Sequence, residues 1–105
     1  MSEPSAVQHD QASHRFCVTL EGYEACLMYR TQGQEIDLYH TYVPDAFRGR
    51  GVADRLCKAA FEYAKTAHLT VIPSCSYISG AYLKRHPEYE PLVKRTYTSK
   101  PIVSG

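Results

Sequence analysis

The chain has no tryptophan, and no apolar run approaches the length needed to cross a membrane. Charge of one sign is lacking too: 12 Lys and Arg stand against 11 Asp and Glu, a net charge of +1. That balance gives no global pull toward nucleic acid or a lipid surface. Nor is there a Cys-x-x-Cys pair, since Cys17, Cys26, Cys57 and Cys75 lie 9, 31 and 18 residues apart. This argues against a zinc site or a thioredoxin-type redox motif, so cytosolic thiols are expected and no metal. The opening MSEPSAVQHDQAS has no apolar signal core, and a cytoplasmic or nuclear protein is expected rather than a secreted one. Two common glycine loops are absent as well. Gly49-Arg50-Gly51-Val52-Ala53 is followed by Asp54 instead of the third glycine of a dinucleotide fingerprint, and no Gly-Lys-Ser/Thr closes a P-loop.

What is present fits one small domain. At 105 residues there is room for a single modest core, and 44% hydrophobic with 22% charged residues suits a globular chain. Residues 1–13 are polar and aperiodic and read as a flexible tail. From His14 onward, Phe16, Val18 and Leu20 alternate with Arg15, Cys17 and Thr19. Glu21-Gly22 makes a tight turn, after which Ala25, Leu27 and Tyr29 oppose Cys26 and Met28. The pattern is a β-hairpin. A third strand from Glu35 to Val43 is expected to carry Ile36, Leu38, His40 and Tyr42 on one face. Ala53, Leu56, Cys57, Ala60, Phe61 and Ala64 then paint one stripe of an amphipathic helix. Leu69 to Ile72 is short, apolar and stopped by Pro73, as a buried strand would be. A short helix is expected from about Ser76, ended by Pro87, and strand-prone residues follow around Val93 to Tyr97. The order β-β-β-α-β-α predicts an α/β (α+β) domain over 14–98, with a parallel strand pair across the helix and a loose tail at 99–105.

The densest chemistry runs from His40 to Ala64: a strand, a turn at Pro44, a basic glycine loop and the start of the helix. A helix N-terminus leaves backbone N–H groups unpaired and carries roughly +0.5 of an elementary charge. Gly49 and Gly51 let a large anion approach those groups without meeting a Cβ. Arg48 and Arg50, with Lys58 further on, add formal charge beside them. A pyrophosphate cradle is the economical reading. Taken alone, the loop is equally a solvated turn that caps a helix.

Arg48-x-x-Gly51-x-Ala53, following a strand that ends in Val43-Pro44, resembles the acetyl-CoA pyrophosphate motif (Arg/Gln-x-x-Gly-x-Gly/Ala) of the GNAT acetyltransferase superfamily. HTYVPDAFRGRGVA, PSCSY and YLKRHPEY together resemble its small YjdJ-type branch of N-acetyltransferase domain-containing proteins, which includes a small plant acetyltransferase. The resemblance implies a minimal GNAT-like fold, a mixed sheet with a central amphipathic helix, and an N-acetyltransferase that uses acetyl-CoA. It implies that Arg48, Gly49, Arg50, Gly51, Val52 and Ala53 hold the pyrophosphate of coenzyme A. The pantetheine arm would lie between the strands ending near Val43 and Ile72, against Thr41, Tyr42, Val43, Ser74 and Tyr77. Cys75 falls where the family places the CoA sulfur, and His40 is its candidate base. Tyr82, in Tyr82-Leu83-Lys84, matches the tyrosine that protonates the departing thiolate, with Tyr77 as its rival.

Each of these residues has a plainer role open to it. The plainer reading, and the commoner fate of these residue types, is Cys75 as a small buried thiol, His40 as a satisfied histidine and either tyrosine as a packing group. Cys17, Cys26 and Cys57 fall at strand or helix core positions. The helical pair that larger family members devote to the acceptor is missing. The expected acceptor is therefore an amine on a protein, a peptide or a small polyamine, with Glu35, Asp37 and Asp45 as the carboxylates nearest the right elements. A binding module that holds acyl-CoA or CoA with little turnover is the alternative. A third reading, a basic loop that binds RNA, is disfavoured by the near-neutral charge.

Overall fold

The computed structural model describes residues 4–94. Five strands form one sheet in the order of the sequence: β1 (Gln8–Asp10), β2 (Arg15–Leu20), β3 (Tyr23–Gln32), β4 (Glu35–Tyr42) and β5 (Thr70–Ile72). The first four run antiparallel, and β5 lies parallel to β4. That last pairing needs a crossover, which α1 (Val52–Ala67) supplies.

Two tight turns set the register. Leu20 faces Tyr23 across Glu21-Gly22, and Gln32 faces Glu35 across Gly33-Gln34. Glu21 and Gly22 both adopt positive φ, the backbone that matches the twist of a hairpin. In this register Phe16, Val18 and Leu20, then Ala25, Leu27 and Tyr29, then Ile36 and Leu38 are buried on one face. Against them α1 lays Val52, Leu56, Cys57, Ala60, Phe61 and Ala64. Each large side chain buried this way contributes about 1.5–3 kcal/mol, which is what holds the helix to the sheet. Beyond β5, residues 76–85 are helical, with a wide π-turn at Ile78–Tyr82 leading into α2 (Leu83–Arg85). A 3-10 segment, Pro87–Leu92, returns Tyr89 to the core. Among the described residues, no helix is long and apolar enough to cross a membrane.

Two local expectations change. The segment before His14 is not a loose tail throughout, because Gln8–Asp10 pairs with β2 as an edge strand. His9 stacks on Phe16 at 4.1 Å and meets the Tyr29 hydroxyl at 2.6 Å. A strand of three residues anchored by a histidine has no apolar alternation to reveal it. On β4, His40 and Tyr42 do not share the face of Ile36 and Leu38. Met28 faces His40 and Tyr29 faces Leu38, so Tyr39 is an extra residue in a β-bulge that shifts the alternation. Val93 makes a single parallel bridge to Val71. The remainder of the strand-prone stretch to Tyr97 and the tail at 99–105 lie outside the described residues.

Candidate active site

Past Tyr42 the chain turns through Pro44 into a 3-10 turn, Asp45–Phe47. Phe47 is buried in the core and pins the loop from below. Gly49 (φ 75) and Gly51 (φ 67) then take the left-handed conformation, and Gly51 is the N-cap of α1. Gly51 has no side chain with which to cap the helix. Its first bonded N–H is that of Arg55, to the Gly51 carbonyl at 3.1 Å. The N–H groups of Val52, Ala53 and Asp54 find no backbone carbonyl among the described residues. A Cβ at Gly49 or Gly51 would meet nothing within 4 Å. The space over the loop is therefore open, and it is the absence of side chains that keeps it so.

An open cavity of about 320 Å³ lies over this turn. Val43, Phe47, Arg48, the two glycines, Val52 and Ala53 form one wall, and Asp54, Tyr77 and Arg85 form the other. Arg48 pairs with Asp45 at 2.9 Å, but both side chains are mostly in water, at 79% and 91% exposure. Such a pair is worth little, so the guanidinium is free to turn to a stronger anion. Arg50 and Lys58 are exposed and do not wall the cavity.

The opposite wall is a hydrogen-bonded network. The Tyr77 hydroxyl donates to Asp54 Oδ1, and Arg85 Nη2 donates to the same oxygen at 2.5 Å and to the Tyr77 hydroxyl at 2.7 Å. His86 Nε2 stands 3.6 Å from Asp54 Oδ2. Burial and the bond to Asp54 push the Tyr77 phenol up to about 12. For Asp54, burial pulls the carboxyl upward. The hydrogen bonds from Tyr77 and Arg85, with the Arg85 charge, outweigh it and hold the group below the usual carboxylate range. Asp54 and Arg85 were not legible as site residues. An acidic residue in the first turn of α1 and a basic one late in the next helix were visible, but their spacing of 31 residues says nothing about contact.

Beside the loop, β4 and β5 part. Their ladder ends with Asp37 opposite Ile72. Pro73-Ser74 steps aside, and the Cys75 N–H donates back to the Leu38 carbonyl at 2.9 Å. Among the described residues, no strand lies along that edge of β4 from Tyr39 onward. Across the opening, Thr41 Oγ1 is 3.4 Å from Cys75 Sγ. Val43 and Tyr77, which wall the cavity, each lie two residues beyond this contact. The gap and the cavity lead into one another.

Thr41, Val43, Cys75, Tyr77 and the glycine loop thus gather on the helix side of the sheet. His40 does not join them. The bulge turns His40 and Tyr42 onto the opposite face, both exposed, so His40 is not placed to act as a base for Cys75. Ser74 is exposed on the step between β5 and Cys75. Tyr82 is only 1% exposed, packed against Phe61 at 5.7 Å and His86 at 4.4 Å, and it does not wall the cavity. Burial pushes its phenol far up, as suits a core group. Of the three carboxylates considered as bases, Glu35 pairs with Lys94 at 2.7 Å, Asp37 with Arg30 at 4.0 Å, and Asp45 with Arg48.

Comparison with known proteins covers the same residues. Residues 15–92 match the sequence model of the GCN5-related N-acetyl-transferase family. Protein NATD1 of Gallus gallus is 42% identical over 87 residues, which is 80% of this chain and 78% of that protein. Protein NATD1 of Homo sapiens is also 42% identical over 87 residues, covering 80% of this chain and 76% of its own. Among solved structures, a GCN5-like protein of Staphylococcus aureus determined by NMR superposes with a TM-score of 0.66 at 29% identity, over 86% of this chain and 90% of that one. Sequence and shape agree across the stretch that builds the cavity, and the chain is accordingly an acetyltransferase that belongs to the GCN5-related N-acetyltransferase family.

Proposed function

We propose that the chain transfers the acetyl group of acetyl-CoA to an amine on a protein, peptide or small polyamine. The cosubstrate would lie from the glycine loop into the gap between β4 and β5. The observation that carries this reading is a pair of left-handed glycines beneath an open cavity, at the uncapped head of α1. A pyrophosphate there meets the unpaired N–H groups of Val52, Ala53 and Asp54 and the positive end of the helix. Arg48 turns from Asp45 to add its charge. Asp54 would repel an anion if its carboxylate were free, but Arg85 and Tyr77 already hold it. The open edge of β4 at Thr41, Tyr42 and Val43 offers backbone groups to the pantetheine amides. That course brings the thioester to Thr41 and Cys75. The neutral amine nitrogen then bonds to the thioester carbon, the C–S bond breaks, the nitrogen releases a proton, and the departing thiolate takes one. Of the two tyrosines considered as its donor, Tyr77 is the one on the cavity side.

A second reading, an acyl-CoA-binding module with slow turnover, draws on a specific feature. With His40, Glu35 and Asp37 on the far face of β4, the one carboxylate among the described residues lining the cavity is Asp54, and Tyr77 and Arg85 already hold it. Calorimetric titration of the purified chain with acetyl-CoA and with free CoA tests both. Saturable micromolar binding supports the cradle, and a panel of amines and peptides then separates enzyme from module. No binding of either ligand reduces the loop to a helix cap and removes the reading.

A further inference from the structure

The far face of the sheet holds a second reactive feature. Cys17 on β2 and Cys26 on β3 are direct partners in the antiparallel ladder, 7% and 3% exposed, with their sulfurs 2.7 Å apart. Residues opposite one another in such a ladder have Cα atoms about 4.5–5.5 Å apart, inside the roughly 4.4–6.8 Å that a disulfide spans. The hairpin register therefore meets the backbone requirement for a cross-link. We propose that Cys17 and Cys26 form a reversible intrachain disulfide, made by exchange with a low-molecular-weight peptide disulfide such as oxidised glutathione.

A cavity of about 220 Å³ beside β2 gives such a reagent access, and it reaches Cys17 but not Cys26. Arg15, Asp10 and Glu24 are among its walls. One cation and two carboxylates suit a small peptide that carries both an ammonium and carboxylates. Arg15 Nη1 also stands 3.7 Å from Cys26 Sγ, bringing positive charge to the sulfurs. Cys17 is the thiol that the cavity reaches, so it makes the first attack; burial and the neighbouring Cys17 push the Cys26 thiol up.

The exchange balances. Cys17 gives its proton to water, and its thiolate bonds to one sulfur of the reagent while the other leaves as a thiolate. Cys26 then loses its proton, its sulfur bonds to Cys17 Sγ, and the second small thiolate departs. The two protons released by the cysteines end on the two departing thiols. The protein is oxidised by two electrons and the reagent is reduced by two. A metal fits less well. Glu24 joins the two cysteines in a set whose ligand atoms lie within 4.8 Å of one another. Two thiolates at zinc bond lengths of about 2.3 Å, tetrahedrally arranged, sit roughly 3.8 Å apart. The sulfurs here are already closer than that.

The folded full-length chain is incubated with oxidised glutathione, acid-quenched, denatured and alkylated. Two of the four thiols should escape alkylation, and a peptide map should join Cys17 to Cys26. Dithiothreitol should restore all four. Cys57→Ser and Cys75→Ser should leave the link intact, and Cys26→Ser should stop at a mixed disulfide on Cys17. Four alkylated thiols, a link through Cys57 or Cys75, or an equal rate of linking in urea would overturn the proposal. Stoichiometric zinc retained by the reduced chain through desalting, with both thiols protected, would replace it with a metal site.

Discussion

Thr41 Oγ1 stands 3.4 Å from Cys75 Sγ, on two segments that no longer pair as strands. The contact exists because two separate devices aim at one point. The bulge at Tyr39 turns Thr41 toward α1, and the bond from the Cys75 N–H to the Leu38 carbonyl draws Cys75 back after Pro73-Ser74 has stepped away. No imidazole or carboxylate meets the thiol among the described residues; its one side-chain partner is a neutral hydroxyl. The pair forms the floor of a groove, without the base that an activated nucleophile needs.

That geometry favours direct transfer over an acetyl relay. Incubation with acetyl-CoA followed by intact-mass measurement should give no adduct of about 42 Da that depends on Cys75. Cys75→Ala should still bind acetyl-CoA. An acetylated chain that loses its adduct in Cys75→Ala would restore the relay.

The glycine loop carries a sharper expectation. Alanine in the left-handed conformation costs about 1–2 kcal/mol, and a β-branched residue more. Gly51→Ala should weaken acyl-CoA binding at least tenfold, and Gly51→Val should abolish it while the chain stays folded. Gly22→Ala, at φ 86 in the β2–β3 turn, bears a similar backbone penalty away from the cavity. It should lose stability in urea melts and keep its affinity. Equal affinities for Gly51→Val and the parent would remove the cradle.

Arg85→Ala should weaken acyl-CoA binding by about tenfold or more, because it exposes an incoming phosphate to an Asp54 carboxylate stripped of its partner. Asp54 also gives a pH signature. Its folded pKa lies below the unfolded one, so its contribution to stability is complete above the usual carboxylate range and drains away as pH falls through the folded value. Urea melts between about pH 5 and pH 2.5 should show Asp54→Asn losing less stability on acidification than the parent. Parallel losses would mean that the network with Tyr77 and Arg85 contributes nothing in solution.

Tyr82 and Tyr77 should separate cleanly. Tyr82→Ala removes a ring packed against Phe61 and Tyr89 and should cost about 3–5 kcal/mol by thermal or urea unfolding. Tyr82→Phe should leave acyl-CoA binding and any turnover unchanged. A Tyr82→Phe variant that folds normally yet loses turnover would reinstate Tyr82 as the acid.

Where burial follows a regular period, the sequence was enough. The hairpin faces, the α1 stripe and the buried run before Pro73 all follow from one side chain in two or in 3.6 pointing inward. The glycine loop was legible because left-handed backbone and uncapped helix ends demand particular residues. Two kinds of information were not available. His40 was misplaced because a bulge adds a residue without leaving a mark in the alternation. Which of Tyr77 and Tyr82 faces the cavity was not legible because both lie on one helical segment, and only packing against Phe61 and Tyr89 decides which of them turns inward. Asp54 and Arg85 are neighbours through tertiary arrangement alone, whereas Cys17 and Cys26 face each other because the two-residue turn at Glu21-Gly22 sets the hairpin register.

The surplus residue in β4 makes the groove a matter of chain length as much as of chemistry. Tyr39 has no opposite number on β3, and its ring lies over the surface under the Arg30 guanidinium at 4.2 Å. Replacing it trims one surface contact. Deleting it would leave Leu38, His40 and Thr41 facing their present sides while straightening the strand toward β5, shutting the aperture without altering any wall of the cavity. A screen restricted to substitutions would score position 39 as dispensable; a deletion of the same residue, followed by acyl-CoA titration, would find the doorway closed.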